Sequence, residues 1–436
     1  MNGEAQGDPR PQSAVSTMVG FAGLAGLAGW SLLARHLGLD GPYAALAGVV
    51  ACGVPMVLWS LLIDKVHRNP TTGIDWVAPP RSWREALDTG LVKLAGLWAT
   101  WGVIALCYCV GRWYWSGQYL FAMRTLQVLL VPLLILSVPY VLWLERRLID
   151  PRDGAWAFGR WLIGGADDAE TRASIAGHAR AWAIKGFFTA FMLSTLPGNW
   201  MAMMHADPAK MAGDPVLLAD GLVSVMFLID VTLATVGYLL TMRPLDSHIR
   251  SANPFAAAWM AALICYPPFL LMNPGGPLDY GPGQLGWARA LSDHPWLQPL
   301  FGTALVVLTG IYAWATVAFG PRFSNLTHRG ILTHGPYRWS KHPAYLAKNL
   351  FWWLATVPLL TTTGLWTDAF RNCCILAIIN GVYYWRARTE ERHLSADPAY
   401  VAYADWMARN ATITRLFNRI GGGGRATPAP VVAPAE

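Results

Sequence analysis

The sequence points to an all-α, polytopic integral membrane protein, a helical bundle of about ten transmembrane helices. Three observations lead there. Only 14% of the 436 residues are charged and 54% are hydrophobic, whereas a soluble domain carries about 25% charged residues. Apolar runs of roughly 20 residues, the length that crosses a hydrocarbon core, recur along the chain. Cationic side chains gather in alternate connections between those runs, in keeping with the positive-inside bias of membrane proteins. The 23 tryptophans fit the same setting, because indoles favour the membrane–water interface.

The stretch MNGEAQGDPRPQSAVST at the start is polar and poor in basic residues, unlike a signal peptide. The run at 16–34 is therefore expected to remain as the first span. Its GFAGLAGLAG segment (20–29) places small residues every third position, which lets helices approach closely in lipid. Spans are then expected at 42–63, 92–114, 124–144, 182–204 and 216–242. The last of these carries Asp230 in FLIDVTLATV. An acid at that depth is either functional or held by Tyr, Trp or Thr neighbours. The run at 255–273 contains Pro267-Pro268 and is expected to be kinked or broken. Runs at 297–319, 344–363 and 367–387 complete the set, with Asn380 in the last as a packing group. The final two are joined by TTTGLW (361–366) and form a hairpin.

After the hairpin, RARTEERHLSADPAYVAYADWMARN (386–410) reads as an amphipathic helix interrupted near Asp397-Pro398. Leu394, Val401 and Met407, interleaved with Tyr400, Tyr403 and Trp406, form its apolar face. It is expected to lie at the membrane surface or fold back on the bundle. The tail 419–436, rich in Gly, Pro and Ala, is expected to be disordered.

Orientation follows from the loops. Lys65, Arg68, Arg81 and Arg84 follow the second run; Arg146, Arg147, Arg152 and Arg160 follow the fourth; Arg322, Arg329, Arg338 and Lys341 follow the eighth. Connections on the other side hold only one or two cations each, such as Lys210 or Arg289. Both termini are thus expected in the cytoplasm. The abundance of Ala, Trp and Arg suggests a bacterial inner membrane.

Other classes lack support. The net charge of +7 is spread over short loops and forms no basic, aromatic-interleaved surface for nucleic acid. All six cysteines fall in apolar runs, without metal-site spacing to histidine or a disulfide framework, so no metal is expected. Neither a dinucleotide-binding fingerprint after a strand nor a P-loop occurs.

Two polar clusters stand out against this apolar background. HGPYRWSKHPAYLAKN (334–349) holds His334, Tyr337, Arg338, His342, Tyr345, Lys348 and Asn349. The second cluster is Arg386, Arg388, Glu390, Glu391 and His393. The hairpin brings its two open ends, and so the clusters, side by side. Trp339 and Lys341 taken singly read as interfacial anchors. Glu390 and Glu391 point in different directions from a helix, so at least one faces the bundle and requires a partner. Arg386 and Glu390, four apart, are spaced to pair. Cations, carboxylates, aromatic faces and backbone groups freed by Pro336 and Pro343 suit a zwitterionic, aromatic-containing ligand.

GPYRWSKHPAYLA (335–347), RARTEERHL (386–394) and YVAYADW (400–406) together resemble the isoprenylcysteine carboxyl methyltransferase family and the related membrane phospholipid methyltransferases. The resemblance covers about 297–418. Lys341 stands where the family has Arg, Ala347 where it has Gly, and Asn410-Ala411 near where it often has Val-Pro. The resemblance implies an S-adenosylmethionine site at the cytoplasmic ends of the last helices, covered by the C-terminal segment. It also implies a lipid-like acceptor entering from the bilayer, either an isoprenylcysteine-type carboxylate or a phospholipid-type amine. Carried over, Tyr337, His342, Pro343 and Tyr345 line the cofactor pocket, with His334 and Arg338 beside them. Glu390 and Glu391 take the cofactor's amino group or ribose. Arg386 orients a carboxylate or the acceptor. His342 or Glu390 serves as base where the acceptor is an amine.

The domains expected are thus an N-terminal bundle (1–290) of unassigned role, a methyltransferase-like core (297–418) and the tail. Two alternatives remain. Ten-helix sterol reductases, which use NADPH, have a similar C-terminal half, but their Arg-His-x-Asn-Tyr and Arg-Asp-Glu stretches match KHPAY and RTEE less well. A non-catalytic transporter or scaffold would use the polar clusters to line a path or bind lipid.

Overall fold

Residues 10–411 are described by the computed structural model. The helices are α1 (Thr17–His36), α2 (Pro42–Leu58, continued by a π-helical turn, Trp59–Ile63), α3 (Trp83–Gly111), α4 (Leu120–Glu145), α5 (Gly154–Leu162), α6 (Ala169–His205) and α7 (Pro208–Gly213). They continue with α8 (Pro215–Leu239), α9 (Ala256–Leu263), α10 (Trp287–Ala290), α11 (Gln298–Phe319), α12 (Pro343–Thr356), α13 (Trp366–Leu394) and α14 (Pro398–Asn410). The only ladder among the described residues pairs β1 (Ser251–Ala252) with β2 (Thr327–His328), antiparallel. The expected tail, 419–436, lies outside the described residues.

Helix starts follow local chemistry. Ser82 and Glu85 form a reciprocal capping box on α3, and Asp153, Asp168, Asp207, Asp214 and Asp397 cap α5, α6, α7, α8 and α14. Each side chain accepts from backbone N–H groups that the first turn leaves unpaired. Proline opens α2, α8, α12 and α14, where its missing N–H costs nothing.

An all-α membrane bundle fits these elements. Among the described residues, six helical stretches are long and apolar enough to cross a membrane: Thr17–His36, Pro42–Ile63, Trp83–Gly111, Gly117–Glu145, Pro215–Leu239 and Pro295–Arg322. The ten expected spans do not all emerge in this form. The run at 255–273 is helical only as α9. Residues 264–286 then run irregularly along α13, where Cys265, Met272, Leu278 and Tyr280 pack on Ile375, Leu376, Ile379 and Tyr383. Arg371 and Asn372 of α13 donate to the carbonyls of Asp279 and Pro282. Proline breaks the helix, and α13 supplies partners for some of the freed backbone. The run at 344–363 stops at Thr356, because Val357 turns left-handed (φ 43°) before Pro358, which disfavours a helical residue ahead of it. Conversely, α6 starts well before 182, since Asp168 caps a polar extension at Ala169.

Close packing relies on small residues, as expected from GFAGLAGLAG. A Cβ on Gly26 would stand 2.0 Å from the Ala51 carbonyl of α2, and one on Gly20 would stand 2.2 Å from that of Val317 in α11. The unforeseen helix α5 docks on α3 in the same manner: a Cβ on Gly159 would meet the Val92 carbonyl at 1.9 Å. In the N-terminal bundle Lys93 is buried against Glu145 and lies 3.1 Å from Asp153. Asn380, expected to glue helices, has a buried Oδ1 that finds no hydrogen-bond partner among the described residues.

The basic connections meet at one end of the bundle. Ile74 bridges Leu148, Asn69 and Thr71 donate to Asp246, and Arg322 pairs with Asp246 at 2.8 Å. The apolar core runs from α1 and α2 through α8 to the last turns of α11, and Leu305 nearer the start of α11 clusters with Ala219 of α8.

Gly26→Val is expected to lower the thermal midpoint in detergent by several degrees, a cost of roughly 1–3 kcal/mol for overpacking. Gly29→Val, where a Cβ meets nothing within 4 Å, serves as the matched control. Equal midpoints for the two variants would show that the α1–α2 contact is not tight.

Candidate functional site

At the basic end a cavity of about 140 Å³ lies between α11, the 322–332 loop, α12, α13 and α14. Pro343 opens α12 and leaves His342 at the N-cap in a non-helical conformation (φ −132°, ψ 58°). From there the imidazole reaches the last turns of α13. His342 Nε2 lies 3.1 Å from Glu391 Oε1, and Nδ1 lies 3.6 Å from Glu390 Oε2. The hairpin thus brings the two polar clusters together, as its sequence implied.

The adjacent carboxylates have different surroundings. Glu391 receives Lys341 at 2.6 Å, His342 at 3.1 Å and Arg388 at 3.1 Å. Burial opposes its ionisation, but hydrogen bonds from His342 and Lys341 outweigh that and hold its carboxyl down at about 2. Glu390 lines the cavity. Tyr345 donates to its Oε2 at 3.2 Å, and the Tyr345 ring stacks on His342 at 5.5 Å between centroids. Among the described residues no hydrogen bond engages the other Glu390 oxygen.

Arg386 does not pair with Glu390 as their spacing had implied. Its Nη2 donates to Asn325 Oδ1 at 3.2 Å. The guanidinium carbon lies 5.7, 5.2 and 5.2 Å from the ring centroids of Tyr266, Tyr345 and Tyr383. Tertiary contacts replace the local pair: an aromatic box holds the cation while Tyr345 and His342 occupy the Glu390 side.

Helix α14 folds back over this end. Tyr400, Tyr403 and Met407 are buried against Ile331, and Tyr403 donates to the Tyr337 carbonyl at 2.8 Å. Val401, expected on the same face, is exposed instead; it sits one residue past Tyr400 and so projects from another side of the helix. Burial pushes the phenols of Tyr400 and Tyr403 upward, so both remain neutral donors. Tyr400 and Thr327 are among the residues lining the cavity, and among the described residues the buried hydroxyl of each has no hydrogen-bond partner.

Of the residues singled out in the sequence, Tyr337, His342, Tyr345, Arg386 and Glu390 line the cavity. Glu391 stands directly behind His342. Pro343 acts on the backbone, by starting α12. His334 and Arg338 are placed elsewhere: His334 Nδ1 lies 2.7 Å from Ser13 Oγ in the N-terminal segment, and Arg338 is exposed. Neither lines the cavity. Sequence reasoning gave no role to Tyr266, Tyr312, Asn325 or Tyr383, nor to Arg322 and Arg329 beyond membrane orientation. All six line the cavity. Tyr383 and Arg386, three apart on α13, were the available signal.

Residues 300–396 match the sequence model of the isoprenylcysteine carboxyl methyltransferase (ICMT) family. The match spans α11 to the end of α13 and stops short of α14. The C-terminal part of the chain is therefore similar to a family of membrane methyltransferases. No curated protein and no solved structure matches the chain.

A carboxyl held below its ordinary value of 4.5 adds stability in full above that value and loses it as pH falls toward about 2. The gap in thermal midpoint between the wild type and Glu391→Gln should therefore narrow as pH drops through that window. A gap of constant size would mean that the ionised Glu391 contributes nothing to holding α13 against α12.

Proposed function

We propose that this protein is an integral membrane methyltransferase that uses S-adenosylmethionine to methylate a lipid-like acceptor at the cytoplasmic face. The observation that carries this reading is one cavity, lined mostly by the segment similar to the family, where Glu390, Arg386 and the paired rings of His342 and Tyr345 converge beneath α14. These groups suit the cofactor. The open oxygen of Glu390 matches an ammonium or ribose hydroxyls, and tyrosine faces match an adenine and a sulfonium. Arg386 matches a carboxylate. The hydroxyls of Tyr400 and Thr327, unpartnered among the described residues, offer further hydrogen bonds to a bound ligand.

When bound, S-adenosylmethionine supplies a methyl group on an already activated carbon. The chain's residues then have the tasks of alignment and water exclusion. Glu390 and Arg386 fix the ligand's two charged ends. The Tyr403–Tyr337 hydrogen bond keeps α14 closed over the cavity. A carboxylate acceptor of the isoprenylcysteine type needs no base. A phospholipid-type amine gives up a proton, and in this reading Glu390 or His342 accepts it. In this reading residues 297–418 form the catalytic core, 1–290 form a bundle that supports it in a bacterial inner membrane, and both termini are cytoplasmic.

Calorimetry on the lipid-reconstituted protein should show saturable binding of S-adenosylmethionine and its demethylated product. Glu390→Ala and Arg386→Ala should each weaken binding by about tenfold or more, the loss of one charge-assisted contact, while Arg338→Ala should leave it unchanged. Binding of NADPH in place of both would transfer the site to a sterol-reductase-like chemistry. A folded sample that binds none of the three would refute an enzyme of either kind.

A further inference from the structure

One turn along α12 from Tyr345, Lys348 lines the same cavity. Its Nζ lies 5.4 Å from the ring centroid of Tyr312, 5.3 Å from that of Trp352 and 5.7 Å from that of Tyr383. Among the described residues no carboxylate forms an ion pair with it. Behind Tyr312 stands Asp230, buried in the middle of α8. Tyr312 donates to Asp230 Oδ2 at 2.9 Å, and the Thr316 hydroxyl donates to Oδ1. Both open alternatives for Asp230 thus meet in one place: it is held by Tyr and Thr neighbours, and those neighbours line the cavity.

An ammonium among rings and apolar helices is costly without a counter-ion, and an apolar side chain would fill the space without that cost. The charge count of the cavity sharpens the point. Lys341 is neutralised by Glu391, Arg322 by Asp246, and Arg329 donates to backbone carbonyls. Arg386 and Lys348 remain, lying near the same Tyr383 ring. Among the described lining residues Glu390 is the one carboxylate; Asp230 is the next acid, set back behind Tyr312, with its two oxygens taken up by Tyr312 and Thr316. A cofactor with a single carboxylate answers one of the two cations. The other calls for an anion from a second ligand.

We propose that Lys348 is the specificity-determining residue for the acceptor: it takes an anionic group of an amphiphile, and Asp230, through Tyr312, is its positioning residue. This rests on the methyltransferase reading above. The acceptor class is then an anionic amphiphile with an apolar tail, whichever of its atoms receives the methyl group. Beyond Lys348 the helix is apolar: Phe351, Leu354 and Ala355 of α12, partly buried, pack against the cluster of Leu305 and Trp287. The N-terminal bundle, through α8, thereby helps to choose the substrate.

The test uses the full chain in lipid nanodiscs saturated with S-adenosylhomocysteine. Three probes of equal chain length, oleic acid, oleyl alcohol and oleylamine, are titrated at matched bilayer fractions and followed by tryptophan fluorescence. The wild type should prefer the acid to the alcohol by about tenfold. Lys348→Gln and the space-filling Lys348→Met should bring that ratio close to one, with alcohol binding and cofactor-product affinity unchanged. Lys348→Arg should restore the preference, and Asp230→Asn should reduce it. A ratio unchanged in Lys348→Gln or Lys348→Met, no acid preference in the wild type, or a preference for the amine would each overturn the assignment. Failure of the wild type to bind S-adenosylhomocysteine would sink the methyltransferase reading instead, and the acid-to-alcohol ratio would still decide the role of Lys348.

Discussion

The basic end of the molecule is organised around a pair of buried arginines. Arg322 meets Asp246 at 2.8 Å, with both side chains almost wholly removed from solvent. Among the described residues Arg329 has no carboxylate partner; its guanidinium donates to the carbonyls of Ser247, Gly237, Phe323 and Pro321. The Gly237 carbonyl lies in the last turn of α8, where the helix itself leaves acceptors unpaired. A planar guanidinium with five donors can satisfy several carbonyls at once, and buried backbone acceptors must be satisfied somehow. The 320–332 loop is thereby fixed to the end of α8. That loop forms one wall of the cavity and carries Asn325, whose side chain accepts from Arg386 and donates to Tyr238. The site inherits its geometry from this knot.

The sequence was informative where chemistry is local or patterned. Apolar runs located most of the long helices, Pro343 marked the start of α12, and the hairpin placed His342 near Glu391. It was less informative where composition is degenerate. Arg322 and Arg329 look the same in sequence as solvated loop cations; only tertiary structure shows that they are buried and hydrogen-bonded. The 255–273 run has the composition of a span, yet its prolines end the helix and α13 takes over part of the backbone hydrogen bonding. The spacing of Arg386 and Glu390 obeyed a helix rule that partners from α12 and the 320–332 loop overrode. Adjacency in the motif does not set position in the fold: His334 and Arg338 share a motif with Tyr337 but lie at the N-terminal contact and at the surface.

A division of the chain near residue 290 separates the part similar to a known family from the part that is not, but packing crosses it freely. Val317 of α11 closes on Gly20 of α1, and Asp230 of α8 holds Tyr312 and Thr316 of α11. Deeper in the N-terminal bundle, Lys93 with Glu145 and Asp153 ties α3, α4 and the start of α5. Such a cluster gains little net stability over apolar packing, but losing one member leaves a buried charge. The N-terminal helices thus form a scaffold with fixed polar registers, and α8 extends that register to the cavity.

Glu390 and Glu391 show how one residue type serves two tasks at neighbouring positions. Successive side chains on a helix point about 100° apart, so the two carboxylates cannot share an environment. Glu391 faces the junction with α12, where Lys341, His342 and Arg388 meet it; further ligands would compete with three donors already in place. Glu390 faces the cavity, with one oxygen held by Tyr345 and the other open. His342 touches both. The lock between α12 and α13 therefore also orients the binding carboxylate, and a change at Glu391 reaches the cavity through the imidazole that both acids share.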